Sequence, residues 1–310
     1  VSWILIAISA YLIFAVVSIG DKFVLKEAIP NSRVYAFLIS SMGLFVLVAA
    51  PWFLHWPGIY WLAIDLLAGA FFTFALLFQY RALRRGDVSK VMVMIGGFIP
   101  VFTTIGSILF LGDHFFAYQW LGLESLVTGT FVIAWTVKEH KLSKTTLWGF
   151  AFSLFAALAY AAFFLVSKYA YNHQDFWSSF IWIRIGSALA GVFLLARATE
   201  RKAIRALLHQ KIGGHDKGNR KKIKGISGFL VLANQTLGAI ASILQNYALS
   251  FGSVAIINAL QGVQYAFLLV LSWLLAIFWP KIFYEAPGQD TLFKKVMALI
   301  FIMIGLYLII

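Results

Sequence analysis

The sequence predicts an all-α, polytopic membrane protein whose ten transmembrane helices form two inverted five-helix repeats, and three observations predict it. First, the 310 residues are 62% hydrophobic and only 12% charged, with a mean hydropathy of +0.87, whereas about a quarter of residues carry charge in soluble domains. Second, apolar stretches of about 20 residues, the helix length that crosses a hydrocarbon core of about 30 Å, recur along nearly the whole chain. Third, one short pattern occurs twice, at corresponding helix ends in the two halves. A closed β-barrel is excluded, because runs such as Leu230 to Leu249 are long and mostly apolar on all sides instead of alternating.

Spanning segments are expected near 2–23, 34–54, 61–81, 88–111, 117–137, 146–169, 176–197, 226–247, 252–279 and 292–310. The first, beginning at Val1, lacks the basic start and A-x-A-like cleavage site of a signal peptide, so it reads as a spanning helix. Turn residues separate the segments at Pro30-Asn31, Trp56-Pro57-Gly58, Gly86-Asp87, Gly112-Asp113, Asn172 to Asp175, Gly252-Ser253 and Pro287-Gly288. Most connections are short, which makes consecutive helices antiparallel neighbours.

Basic residues sort by loop parity. Lys22, Lys26 and Arg33 follow the first helix, Arg81, Arg84, Arg85 and Lys90 the third, and Lys138, Lys141 and Lys144 the fifth. The same side receives Arg197 to Lys224 and then Lys281, Lys294 and Lys295, while the other side holds almost nothing basic beyond Lys168. The positive-inside rule therefore predicts a multi-pass protein of the cell (plasma or inner) membrane with both termini outside. Residues 198–224 are expected to form a basic cytoplasmic loop, either a solvated linker or a contact for anionic lipid headgroups. Nucleic acid is excluded as a partner despite the net charge of +13, since no aromatic side chains are interleaved with these charges to stack bases. The chain has no Cys, which excludes disulfides and thiolate chemistry.

The repeated pattern is Gln79-Tyr80-Arg81-Ala82-Leu83-Arg84-Arg85-Gly86-Asp87-Val88 against Gln245-Asn246-Tyr247-Ala248-Leu249-Ser250-Phe251-Gly252-Ser253-Val254, which share Gln, Ala, Leu, Gly and Val without a gap. The same register pairs Gly96 with Gly262. At a smaller offset Asp21-Lys22-Phe23 pairs with Ser167-Lys168-Tyr169, and at a larger one Gly129 pairs with Gly305. The expected units are thus residues 1–145 and 146–310. Five helices per unit is odd, so the second unit enters from the opposite side and the repeat is inverted.

On these residues, with Pro100 in Gly96-Gly97-Phe98-Ile99-Pro100-Val101 and the Leu111-Gly112-Asp113 turn, the sequence resembles the drug/metabolite transporter superfamily in its ten-helix EamA-like branch, across essentially the full chain. Asp113 stands where the family pattern has Glu, Trp279-Pro280 replaces the acidic turn in the second half, and Ala266 stands in place of the Pro. The resemblance implies a central cavity lined by helices one, three, four, six, eight and nine, alternating access, and small organic substrates. Termini outside would not be the family's default orientation.

Polar groups inside spanning helices need partners or water, so each is a candidate. Asn234, Gly238, Ala241 and Gln245 share one face of helix eight, flanked by Gln235 and Ser242; Asn258, Gln261 and Tyr265 form a second stripe on helix nine, with Gln264 beside it. Two facing amide stripes would bind a zwitterion or heterocycle, or else bond helix to helix. The first half adds Gln79 and Tyr80. Its hydroxyls Thr73, Thr103, Thr104 and Ser107 are expected to bond their own backbone. Gly96-Gly97 and Gly262 suit close helix packing. Arg184, inside helix seven, keeps its charge and needs a carboxylate, carbonyls or an anionic substrate, unless it snorkels to the interface. Lys22 and Lys168 are expected to snorkel. Asp65 and Glu124 are the proton-coupling candidates.

The expected function is secondary active transport of a small polar or zwitterionic metabolite, such as an amino acid or nucleoside, with proton coupling or exchange as the drive. The alternatives are a channel, a lipid carrier or flippase, and less readily an intramembrane enzyme. No H-E-x-x-H, G-x-S-x-G or G-x-x-x-x-G-K-[ST] occurs. No catalytic residue, metal or cofactor is expected. The partners are the small-molecule substrate and membrane lipid, and the chain is a monomer or homodimer.

Overall fold

The computed structural model describes residues 2–24, 32–85, 88–135, 144–196, 220–278 and 289–309. Among them every regular element is helical. Helix α1 is Ser2–Val24. Helix α2, Ser32–Met42, continues as a 3-10 stretch, Gly43–Ala49, and a single turn, Ala50–Phe53. Pro51 supplies no N–H to the turn before it, and the chain there tightens to the i+3 pattern. Helices α3 (Ile59–Leu83), α4 (Val88–Gly106), α5 (Ala117–Trp135), α6 (Lys144–Tyr171), α7 (Phe176–Leu194) and α8 (Arg220–Phe251) follow. Helix α9 has two pieces, Val254–Ala259 and Gln261–Phe278, and α10 is Gln289–Ile309.

Local chemistry sets several boundaries. Asp175 caps α7, its carboxylate accepting from the Ser178 N–H at 3.0 Å. Helix α4 ends in a π-turn, Ser107–Leu111, closed by Gly112 at φ 72°, a left-handed conformation that Gly adopts without strain. Helix α8 starts earlier than the spacing predicts, so Arg220 to Lys224 belong to the helix and not to the expected loop. Residues 197–219, the turns at Pro30-Asn31, Gly86-Asp87 and Pro287-Gly288, the segment from Trp279 to Gly288, and the side chains of Lys22, Lys90, Lys144, Lys294 and Lys295 lie outside the described residues.

Six helices among the described residues are long and apolar enough to cross a membrane: α1, α2 with its extension to Phe53, α3, α4 with its π-turn, α6 and α7. Val254–Leu268 and Val296–Ile309 are shorter apolar stretches. Among the other helices, α5 carries Gln119 and Glu124, and α8 carries Asn234, Gln235, Gln245 and Asn246, which lower their hydropathy.

Helix α3 packs on α6 and α7, α1 on α8 and α9, α4 on α5, α6 and the first piece of α9, α2 on α3 and α7, and α5 on α10. Glycines permit the closest approaches. Gly69 of α3 faces the backbone of Ile183 and Ser187, and Gly186 of α7 faces the backbone of Leu66. Gly122 and Gly129 of α5 meet the carbonyls of Gly305 and Ala298 on α10 in the same way. As expected, Gly96, Gly97 and Gly262 serve packing, against Tyr265, Phe131 and Thr130 respectively. The core between the helices gathers Tyr11, Leu126, Phe163, Phe180, Ile183, Leu249, Ile257 and Leu260. The outer faces are as apolar as the core: Phe110 is 78% and Phe193 73% exposed. Such surface suits lipid, not water.

Candidate functional site

The face of α8 that carries Asn234, Gly238 and Gln245 lies on α1. Asn234 backs onto Gly20, Gly238 faces Val17, and the Gln245 amide donates to the Tyr11 hydroxyl at 3.1 Å. The Tyr11 hydroxyl donates in turn to the Ile257 carbonyl of α9 at 2.6 Å. Further along, the Gln264 amide donates to Ser18 Oγ of α1 at 3.3 Å. Helix α1 therefore stands between the two amide stripes, which the sequence reading had facing one another. On α9 the Asn258 amide turns back to its own Val254 carbonyl at 2.9 Å, Gln261 is half-buried at the start of the second piece, and the Tyr265 hydroxyl donates to the Met92 carbonyl of α4 at 3.2 Å.

One residue further along α8, about 100° round the helix, Ser242 and Asn246 face the other way. The Tyr171 hydroxyl of α6 donates to Asn246 Oδ1 at 3.2 Å, and the Asn246 amide donates to the Ser242 carbonyl at 2.8 Å. The Arg184 guanidinium of α7 donates to Ser242 Oγ at 2.6 Å. It also lies over the Phe72 and Phe180 rings, with 5.0 and 4.7 Å to the centroids, and is only 6% exposed. Phe72 touches Tyr160 edge to face, and the Tyr160 hydroxyl donates to Gln79 Oε1 at 2.5 Å. The Gln79 amide reaches the Met92 thioether at 3.3 Å, and the neighbouring Tyr80 is half-buried. Polar contacts thus tie α8 to α1, α6 and α7, and α3 to α6, with the Phe72 ring between the Arg184 and Tyr160 groups.

Tyr11, Tyr160 and Tyr171 were not singled out from sequence. For two of them the signal was present: Tyr160, Phe164, Ser167 and Tyr171 follow i, i+4, i+7, i+11 and mark one face of α6. Tyr11 sits alone in an apolar run, and only its neighbours in space distinguish it.

The α4 hydroxyls behave as expected. Thr103 and Thr104 donate to the Ile99 and Pro100 carbonyls, and Ser107 to that of Thr104, at 2.7 to 3.1 Å. Thr73 reaches its own Gly69 carbonyl at 3.3 Å and also bridges to two other helices, with Ser40 Oγ at 2.9 Å, the Ser187 carbonyl at 2.8 Å and Ser187 Oγ at 3.1 Å. Lys168 does not snorkel freely. Its ammonium donates to the Ser250 carbonyl at the C-terminal end of α8, 3.1 Å away, where the helix dipole favours a cation.

The two candidate carboxyls differ. Asp65 has no exposed surface; its Oδ1 accepts from Ser179 Oγ at 2.7 Å and from the Gln174 amide at 3.3 Å, while its Oδ2 is buried without a partner. Glu124 is exposed on α5. The same end of the bundle is closed by aromatic groups. Trp61 stacks on His173 and tilts on Tyr169, Trp56 meets Trp182 edge to face, and the Trp182 indole donates to the His55 carbonyl at 3.0 Å. Among the described residues no group of three or more His, Cys, Asp or Glu comes together as a metal site.

The fold is that of a multi-pass, all-helical membrane protein. Residues 1–135, up to the last residue of α5, match the model of the EamA-like transporter family. A solved crystal structure has a similar fold, with a TM-score of 0.67 over 99% of each chain at 15% sequence identity. No curated protein matches the chain in sequence.

Proposed function

We propose that the chain is a secondary transporter that moves a small polar or zwitterionic metabolite across the cell membrane by alternating access, with ten spans in two inverted five-helix repeats. The observation that carries this reading is the set of polar contacts between helices made by Tyr11, Gln79, Tyr160, Tyr171, Arg184, Ser242, Gln245 and Asn246, drawn from both halves of the chain. A bundle held only by helix packing has no need to gather polar groups at its centre, since each must be satisfied where water is excluded.

Two further observations support the repeat. The family match covers five helices and stops at the end of α5. Exchange of the halves, α1 for α6 and so on, turns the α1–α8 packing into α3–α6 and α1–α9 into α4–α6. It returns α2–α7, α4–α9 and α5–α10 to themselves. Inverted repeats of this kind rock around a fixed site near the bilayer midplane. Burial favours Asp65 over Glu124 as a proton carrier, since only the former is enclosed among the helices. The basic bias of the odd-numbered loops supports termini outside.

The test is uptake into proteoliposomes of a mixed pool of amino acids, nucleosides and organic acids, with and without an imposed pH gradient. Wild type is expected to accumulate at least one solute, and Gln245→Ala to accumulate it more slowly. Asp65→Asn is expected to lose the gradient dependence that Glu124→Gln keeps. Folded wild-type protein that accumulates nothing in either condition overturns the reading.

A further inference from the structure

Arg184 is the ninth residue of the 19-residue α7, so its guanidinium starts from the middle of a spanning helix. It holds its proton under all ordinary conditions and presents five N–H donors in a planar fork. Among the described residues its contacts are all neutral: the Ser242 hydroxyl and the Phe72 and Phe180 rings.

The sequence itself narrows where a counter-ion could come from. Of the 12 acidic residues, Asp65 and Glu124 lie well inside the expected spans, Asp21 lies close to the end of the first, and the others fall in connections. Glu124 faces outward from α5, and Asp65 is held by Ser179 and Gln174 near the N-terminal end of α7. Residue 21 follows Gly20, which abuts Asn234, and Ser242 lies eight residues, or about 12 Å, further along α8. Among the described residues, the fixed cation in the centre of the bundle therefore has no carboxylate partner.

The surroundings are built to hold that cation in place. Gly43 leaves room for the Arg184 stem, since a Cβ there would lie 3.2 Å from Arg184 Cδ. The two rings fix the guanidinium by cation–π contact, and Ser242 holds one nitrogen. Ser242 is positioned by α8, and α8 is tied through Asn246 to the Tyr171 hydroxyl. The remaining donors match the two parallel acceptors of a carboxylate, which arginine binds in bidentate fashion.

We infer that Arg184 is the receptor for a carboxylate on the transported molecule, so that the substrate class is small organic acids and zwitterions bearing a free carboxylate, not nucleosides, amines or neutral amides. The inference rests on the transport reading above and sharpens it. The rings of Phe72 and Phe180 beside the fork favour carboxylates with an apolar or aromatic remainder. Ordering of the carboxylate between α7 and α8 links solute binding to the α7–α8 contact.

The first experiment needs no variant. The purified protein in detergent is melted in the presence of benzoate or of its uncharged isostere benzamide. Benzoate is expected to raise the melting temperature in a saturable way, and benzamide to leave it unchanged. In Arg184→Gln, checked for a monodisperse elution profile, the benzoate effect is expected to vanish, and in Arg184→Lys to weaken by about tenfold in affinity as the bidentate pair becomes a point contact. Equal stabilisation by benzoate and benzamide, or benzoate binding retained in Arg184→Gln, overturns the inference, as does the lack of any shift with acetate, benzoate, succinate and phenylalanine alike. The two readings fail separately. Proteoliposomes that accumulate a neutral solute while carboxylates neither bind nor compete sink the Arg184 assignment alone; carboxylate binding in a protein that moves no solute sinks the transport reading alone.

Discussion

On α4 the hydroxyls of Thr103, Thr104 and Ser107 turn back to carbonyls of their own helix beside Pro100, whereas on α8 the side chains of Ser242, Gln245 and Asn246 engage α1, α6 and α7. Both helices carry polar residues at depths where water is excluded, yet one set mends its own backbone and the other ties helices together. The difference follows from reach and neighbourhood. A Thr hydroxyl readily reaches a carbonyl one turn back on its own helix, while an amide facing a tyrosine or an arginine finds a better partner across the gap. Only bonds of the second kind can be exchanged for bonds to a solute without disturbing the helix that bears them.

This contrast can be broken by substitution. The largest effect is expected from Arg184→Met, which removes the charge and keeps the bulk. Uptake of a carboxylate solute should fall by about 100-fold or more, as loss of two charge-assisted hydrogen bonds predicts. The same variant should unfold at a higher temperature than wild type, because an unpaired buried cation destabilises the bundle and a packed apolar side chain does not. A thermal melt beside the uptake assay reads both; Arg184→Met that melts lower and transports normally would make Arg184 a structural residue.

A smaller effect is expected from Tyr171→Phe. It leaves Asn246 Oδ1 without its donor and loosens the segment that presents Ser242, so initial uptake rates should drop by about tenfold and stability by about 1–3 kcal/mol. The smallest is Thr104→Val on α4. There the lost bond is local, and stability should move by no more than about 1 kcal/mol in a denaturation series, with uptake unchanged. If Thr104→Val impairs uptake as much as Tyr171→Phe, the division between the two helices collapses.

Much of this was legible beforehand. The helices begin and end within a few residues of the segments read from hydropathy and turn residues, apart from the early start of α8 at Arg220. Gln79, Gln245 and Arg184 were marked by depth alone, since a polar group in a long apolar run carries its own signal. Thr73 bonds its own helix as expected, but sequence gave no sign that the same hydroxyl also meets Ser40 and Ser187 from two others. Tyr11, flanked only by apolar side chains in its own helix, gave no hint that it bridges Gln245 to the Ile257 carbonyl.

The sequence by itself determined that this is a multi-pass helical membrane protein, because spanning length, apolar runs and punctuation are local properties of the chain. It also determined that a cation stands in the middle of α7 with almost no acidic residue at similar depth, because that is a matter of counting. The tertiary structure alone decided which polar faces meet. It set α1 between α8 and α9, separating two amide stripes that spacing would have joined, and it brought Ser242, Phe72 and Phe180 around Arg184. Helical periodicity fixes which residues share a face, but the partner of that face is chosen by packing over the whole bundle.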